Sequence, residues 1–155
     1  MKKALMIHEV TDALFDLPLK EYMLTFDDGT ADHYAYWPKI KQVPTTKAFF
    51  IITGKINSPG YLTVEQVKEL MADPLVTIGG HSHNHTHLST FATLKEKLDY
   101  IESDIKEMLK WFKDHLDYTP TAFCYPYNDD CHGLYKALVG KYGFVELYGA
   151  EREEA

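Results

Sequence analysis

Two short runs in this chain carry side chains that can hold a cation or move a proton. The first is Asp27-Asp28-Gly29, directly after the β-type run Tyr22 to Phe26. Adjacent carboxylates repel each other, which costs stability unless a cation or a proton separates their roles. The glycine permits the tight turn that a strand end needs. Taken alone, Asp-Asp-Gly reads first as an exposed turn. The second run, GGHSHNHTHLS, places His81, His83, His85 and His87 directly after another β-type run. Imidazoles at this density are expensive as core packing, and in a loop they offer nitrogen ligands to a divalent metal. The spacing leaves the ligating pair open, because an extended segment puts all four on one face and a helical turn aligns 81 with 85. A histidine-rich surface loop with no metal is the plainer reading of composition alone.

A third run, AFCYPYND (Ala122 to Asp129), ends a strand with aromatics and Pro126 and then opens a turn. By itself it says little. The three runs gain meaning from the elements that must position them. Short β-type runs at Ala4 to Ile7, Tyr22 to Phe26, Ala48 to Ile52, Leu75 to Gly80, Thr121 to Tyr125 and Phe144 to Tyr148 alternate with helical patterns. That alternation predicts a largely parallel α/β sheet, here a partial or distorted (β/α) barrel of about six mostly parallel strands. In such folds the active site gathers where strand C-termini meet the loops. Asp28 with two histidines then makes a three-ligand set with open positions, the pattern of a catalytic rather than a structural metal site.

The clearest helix runs from about Thr90 to His115, where Leu94, Leu98, Ile101, Ile105, Met108 and Phe112 recur at steps of three and four. Another starts at Thr63, which forms a Thr-x-x-Gln capping box with Gln66, and Pro74 limits its far end. A third spans roughly Asp130 to Lys141. The charge-dense run Glu151 to Glu154 reads as a solvated, mobile tail.

With 155 residues and 45% hydrophobic content, the chain suffices for a single domain with one sizeable core. Sixteen Lys plus Arg against 23 Asp plus Glu give a net charge of −7, which argues against nucleic acid and anionic membranes as partners. The N-terminal apolar run is too short for a signal-peptide core, and no stretch approaches the roughly 20 apolar residues of a bilayer span. A cytoplasmic location is expected. Cys124 and Cys131 read as reduced thiols rather than a disulfide framework.

The chain resembles the polysaccharide deacetylases, carbohydrate esterase family 4, over nearly its whole length. TFDDG matches the family's first motif, IGGHSHNHTHLS its histidine motif ending in Leu-Ser/Thr, and FCYPYND falls where the third lies. The resemblance implies Asp27 as general base, and Asp28 with His81 and His85 as metal ligands, the histidine register being set by Leu88. It implies the backbone N–H of Tyr127 as an oxyanion donor, with Pro126 shaping the substrate groove. His83 and His87 are then neighbours that either support the ligands from outside or are merely exposed. The implied activity is metal-dependent hydrolysis of the acetamide of an N-acetylated sugar or glycan. One Asp and two His suit Zn2+, with Co2+, Ni2+ and Fe2+ compatible.

Two departures follow from the same resemblance. Many members brace the base with an arginine where this chain has Cys124, and the family's late motifs, including the Leu-x-His general acid, have no match before Ala155. His8, at the end of the first strand and expected on the same sheet face as Asp28, is the first local candidate for the acid. A protonated Asp27 or a second subunit are the others, and a homo-oligomer would let another copy complete the cleft. The alternatives to an N-deacetylase are a hydrolase of another non-peptide carbon-nitrogen amide, and a metal- or carbohydrate-binding remnant of the fold.

Overall fold

The computed structural model describes residues 1–155. Its sheet is built from β1 (Ala4–Ile7), β2 (Met23–Asp28), β3 (Lys47–Ile51), β4 (Val76–Gly80), β5 (Ala122–Cys124), β6 (Glu146–Tyr148) and β7 (Glu153–Glu154). They lie in the order β6-β5-β4-β3-β2-β1-β7, and every neighbouring pair is parallel. Residues Gly149–Arg152 are all that join β6, at one edge, to β7, at the other. So short a link requires the sheet to curl on itself, giving a partial barrel. The strand count is seven rather than six. The added strand is β7, two residues long, in the acidic run expected to be a free tail; it pairs Glu153 with Leu5 and Glu154 with Met6.

Alternation along the strands divides the interior in two. Leu24, Phe26, Phe49, Ile51, Ile78 and Phe123 face the helices and join the main core. Ala48, Phe50, Ala122 and Cys124, one residue out of phase, form a small cluster inside the curl. Thr25 and Asp27 pair with Ala48 and Phe50, so they share that inner face. Gly79 lies opposite Phe50, where an added Cβ would sit 2.6 Å from the Phe50 ring; glycine there lets β3 and β4 fill so narrow an interior.

The helices are α1 (Ala31–Ala35), α2 (Trp37–Ile40), α3 (Val64–Met71), α4 (Leu94–Leu116) and α5 (Leu134–Val139). α3 carries the expected capping box, with both Thr63–Gln66 hydrogen bonds present. α4 buries Ile101, Ile105, Met108 and Phe112 as its periodicity predicts. It begins after Thr93, whose hydroxyl accepts from the Glu96 N–H, and residues Leu88–Thr90 make a separate 3-10 turn. α5 is shorter than expected. α1 and α2 follow the Asp-Asp-Gly turn, and Pro38 fits there because it falls in the first turn of α2. No helix is long and apolar enough to cross a membrane.

Candidate metal centre and active site

Asp27 and Asp28 are the last two residues of β2. The pleat sends them to different places. Asp27 points into the curl and is 1% exposed, whereas Asp28 turns up at the strand end with φ 84 and is 29% exposed. Gly29 follows with φ 73, so the chain leaves the strand through two left-handed residues.

The loop after β4 sorts its four histidines. His81 Nε2 and His85 Nε2 lie 3.2 and 3.7 Å from Asp28 Oδ1. His83 turns away, its Nδ1 2.8 Å from Thr53 Oγ1 and its Nε2 3.5 Å from Glu107. His87 pairs with Asp129 at 3.7 Å. The reason is local backbone geometry. Ser82 and His85 both take positive φ, 66 and 53, and the Ser82 hydroxyl accepts from the His85 N–H at 2.7 Å. The segment is neither a regular strand nor a helix, so both simple periodicities fail and 81 and 85 converge through a turn.

Asp104 holds that turn. Buried on the inward face of α4, it accepts from the backbone N–H groups of His83 and Asn84, each at 2.9 Å. Its signal in the sequence was an acid on an apolar stripe, three residues from Ile101 and four from Met108.

Two clusters have ligand atoms close enough to share an ion: Asp28-His81-His85 and Asp27-His81-Cys124. Only the first fits. His81 Nδ1 lies 2.8 Å from the Cys124 carbonyl, which fixes Nδ1 as the protonated nitrogen and leaves Nε2 facing Asp28. In the second cluster the space beside Asp27 and Cys124 is taken by a guanidinium. Electrostatics agree with a cation at the first. Burial disfavours charge on His81, yet Cys124, Asp28 and Asp27 together outweigh it and hold His81 well above its ordinary value. Burial and the His81 charge push His85 down to about 4. The cluster thus draws one positive charge to three groups that could hold a metal ion.

The guanidinium is Arg152, with a side chain that is 0% exposed. It donates to Asp27 Oδ1 at 2.8 Å and Oδ2 at 2.7 Å, and further to Thr25 Oγ1, Asn128 Oδ1, Cys124 Sγ and the Gly149 carbonyl. The acidic run from Glu151 is therefore no solvated tail. It delivers the one arginine of the site from the far edge of the sheet to the side of Cys124, the position where the resemblance leads one to expect an arginine. Burial pushes the Asp27 carboxyl up, but the Arg152 hydrogen bonds and the His81 charge outweigh it, so Asp27 lies below the ordinary carboxylate value. Burial pushes the Cys124 thiol up and keeps it neutral, able to accept from Arg152 and donate to Asp27 at 3.6 Å.

His8, Asp27, Asp28, His81, His85, Tyr127 and Asn128 line one cavity of about 220 Å3. His8 follows the pair Ile7–Phe26 and so lies level with Asp27 rather than Asp28; its Nε2 is 3.5 Å from Asp27 Oδ2 and its side chain is 50% exposed. Tyr127 has φ 60, sets its ring 4.5 Å from that of His85 at a 40° tilt and donates its hydroxyl to the His85 carbonyl. Pro126 is buried beneath this turn and does not line the cavity.

The polysaccharide deacetylase family profile matches residues 16–144. YxkH of Bacillus subtilis (strain 168), a polysaccharide deacetylase by name, is 29% identical over 131 residues, which is 84% of this chain and 40% of YxkH. The chain thus spans well under half of that curated relative. Among solved structures, IcaB from Ammonifex degensii superposes with TM-score 0.81 at 19% identity, over 98% of this chain and 84% of that one. The deacetylase domain of BpsB from Bordetella bronchiseptica superposes with TM-score 0.78 at 14% identity, over 96% and 88%. At these identities the superpositions show a shared fold. Because the profile covers most of the sequence, and its motifs are the ones that meet in the cavity, this chain belongs to the polysaccharide deacetylase family.

Proposed function

We propose that this chain is a metal-dependent N-deacetylase that hydrolyses the acetamide of an N-acetylated sugar. The observation that carries this reading is the division of labour between the two adjacent acids. Asp28 sits with His81 and His85, and Asp27, braced by Arg152, is left facing the same cavity. A site that only binds a metal or a sugar has no use for a buried, ionised carboxylate held beside the ligands.

Asp28, His81 and His85 would hold the ion, with Zn2+ suited to the donor set and Co2+, Ni2+ and Fe2+ also compatible. When bound, a divalent cation supplies Lewis-acid polarisation of the amide carbonyl and of water. The chain's own groups do the rest. Asp27, ionised, takes the proton of the attacking water. Tyr127 lines the cavity, and in this reading its backbone N–H donates to the developing oxyanion; one such donor is typically worth about 2.7–4 kcal/mol. His8, which lines the same cavity beside Asp27, gives a proton to the departing nitrogen. That step is needed because an amide anion is too poor a leaving group at neutral pH.

The test is acetate release from N-acetylglucosamine and its oligomers, set beside non-sugar acetamides, with metal content measured on the same samples. Turnover confined to the sugars supports the reading. Release from the non-sugar amides alone would move the chain to a different amide substrate, and a fully metal-loaded protein that releases no acetate from any of them would make it a binding protein.

A further inference from the structure

His8 lies one residue beyond β1, and its half-exposed ring has a single close polar neighbour, Asp27. A ring so placed is only as well aimed as the backbone that carries it. That backbone is clamped at both ends by consecutive side chains at the start of α1. His33 Nε2 lies 2.7 Å from the His8 carbonyl oxygen, and Asp32 Oδ2 accepts from the Val10 N–H at 2.6 Å. The Asp32 carboxylate is itself fixed by the Thr30 hydroxyl.

The state of His33 shows what it is for. It is completely buried, with its ring 5.4 Å from Phe26 and 6.0 Å from Phe49. Burial pushes it below its ordinary value and keeps it neutral. A carbonyl oxygen only accepts, so the proton of the neutral ring is on Nε2, and Nδ1 is left buried with no hydrogen-bond partner. Leaving such an acceptor buried and unsatisfied costs stability. A phenylalanine would fill the same aromatic slot without that penalty. What the imidazole adds is the one N–H directed at His8.

We propose that His33 and Asp32 are positioning residues that act through His8, fixing residues 8 to 10 so that the His8 ring stands over Asp27 and the reaction cavity. The inference rests on the reading of His8 as the group that protonates the leaving nitrogen. His33 touches neither the cavity nor the metal ligands.

The experiment is a double-mutant cycle with kinetics, metal content and amide exchange. His33→Phe keeps the aromatic packing and removes the donor. It is expected to lower kcat about tenfold to a hundredfold, a fraction of the ~10²–10⁴ that a general acid supplies, with KM within about twofold and metal content unchanged. His33→Gln returns an N–H near the same place and should recover most of the loss. In a His8→Ala background, His33→Phe should have no further effect, because residues acting through one group are not additive. Amide exchange at Val10 should quicken in His33→Phe and Asp32→Ala while the strands stay protected.

If His8→Ala is as active as the parent, the acid reading itself is wrong. If His8→Ala is impaired but His33→Phe is not, or the two losses multiply, or Gln rescues no better than Phe, the positioning role is refuted while the acid reading stands. Should His33→Phe fail to fold, Asp32→Ala, at a partly exposed residue, must show the same kcat loss and the same absorption by His8→Ala; normal turnover there overturns the proposal.

Discussion

Replacing Arg152 tests the most unexpected feature of the site. The guanidinium is fully buried, makes a two-point contact with a fully buried carboxylate, and is hydrogen-bonded to four other groups. Removing one partner of such a pair typically costs about 3–5 kcal/mol, because the other charge remains buried without compensation. At 1.36 kcal/mol per pK unit, that energy expressed wholly as a shift would raise Asp27 by about 2–4 units. His81 also stabilises the carboxylate, as would a bound cation, so for Arg152→Gln we expect a rise of about 1–2 units. The acid limb of kcat/KM against pH should move up by that amount, since it reports the base in the free enzyme. Arg152→Lys should recover part of the shift, because a point charge replaces the fork but cannot match its two-point geometry. Stability follows with a definite sign. The folded-state pKa of Asp27 is depressed, so its contribution is present above the unfolded value of ~3.9 and is lost as pH falls through the folded value. Arg152→Gln should therefore lower Tm near pH 7 and flatten the acid side of the stability profile. An acid limb within about 0.3 units of the parent, with Tm unchanged, would refute the claim that Arg152 governs Asp27.

Other outcomes follow from the same geometry. His81→Ala and His85→Ala should strip the metal, whereas His83→Ala and His87→Ala should leave it bound, as read by metal analysis after dialysis; their rings point to Glu107 and Asp129. Metal occupancy should fall as pH drops, beginning above the ordinary imidazole value of ~6.5, because His81 in the empty site is held above it and its proton competes with the ion. Asp104→Ala should weaken metal binding by about 10–100-fold in a titration, the usual effect of losing a group that orients the ligands, since it frees the N–H groups of His83 and Asn84. Gly79→Ala should destabilise by about 1–3 kcal/mol in a urea titration through overpacking, given the 2.6 Å approach to Phe50.

Much of this arrangement was legible in the residues. Strands at Ala4–Ile7 and Val76–Gly80, the capped start of α3 and the inward stripe of α4 follow from local patterns that the tertiary structure does not oppose. Period-2 and period-3.6 arguments could not choose among four histidines, because the loop obeys neither; the family resemblance named 81 and 85, the pair the geometry brings to Asp28. Arg152 was hidden for a different reason. Its neighbours Glu151, Glu153 and Glu154 make the segment look solvated, and only a contact with Thr25 and Asp27, more than 120 residues away, shows otherwise. The missing arginine at Cys124 was a visible clue: a buried base without a counter-charge is costly, and Arg152 is the one arginine in the sequence.

Two acids side by side pose a repulsion problem that the pleat solves. Strand alternation turns Asp27 into the curl and leaves Asp28 at the rim, so each meets its own positive partner: a guanidinium for one, the His81 imidazolium or a cation for the other. Both carboxyls lie below their ordinary value despite burial that pushes each of them up, with Arg152 the leading cause for one and His81 for the other. Environment assigns the roles, as it does wherever one site holds two carboxylates with different tasks. The consequence is a crossed pair of phenotypes. Asp27→Asn keeps the shape and the Arg152 contact at one oxygen but loses the base, so metal content should stay near the parent's while acetate release drops by about 10²-fold or more. Asp28→Asn leaves the base in place but weakens the ligand set, so metal is lost first, and excess metal should restore part of the turnover. The two variants are distinguished by metal analysis and by turnover at saturating metal. If both lose metal equally, or excess metal rescues Asp27→Asn, the two acids are not separated as the pleat implies, and the assignment of base and ligand has to be withdrawn.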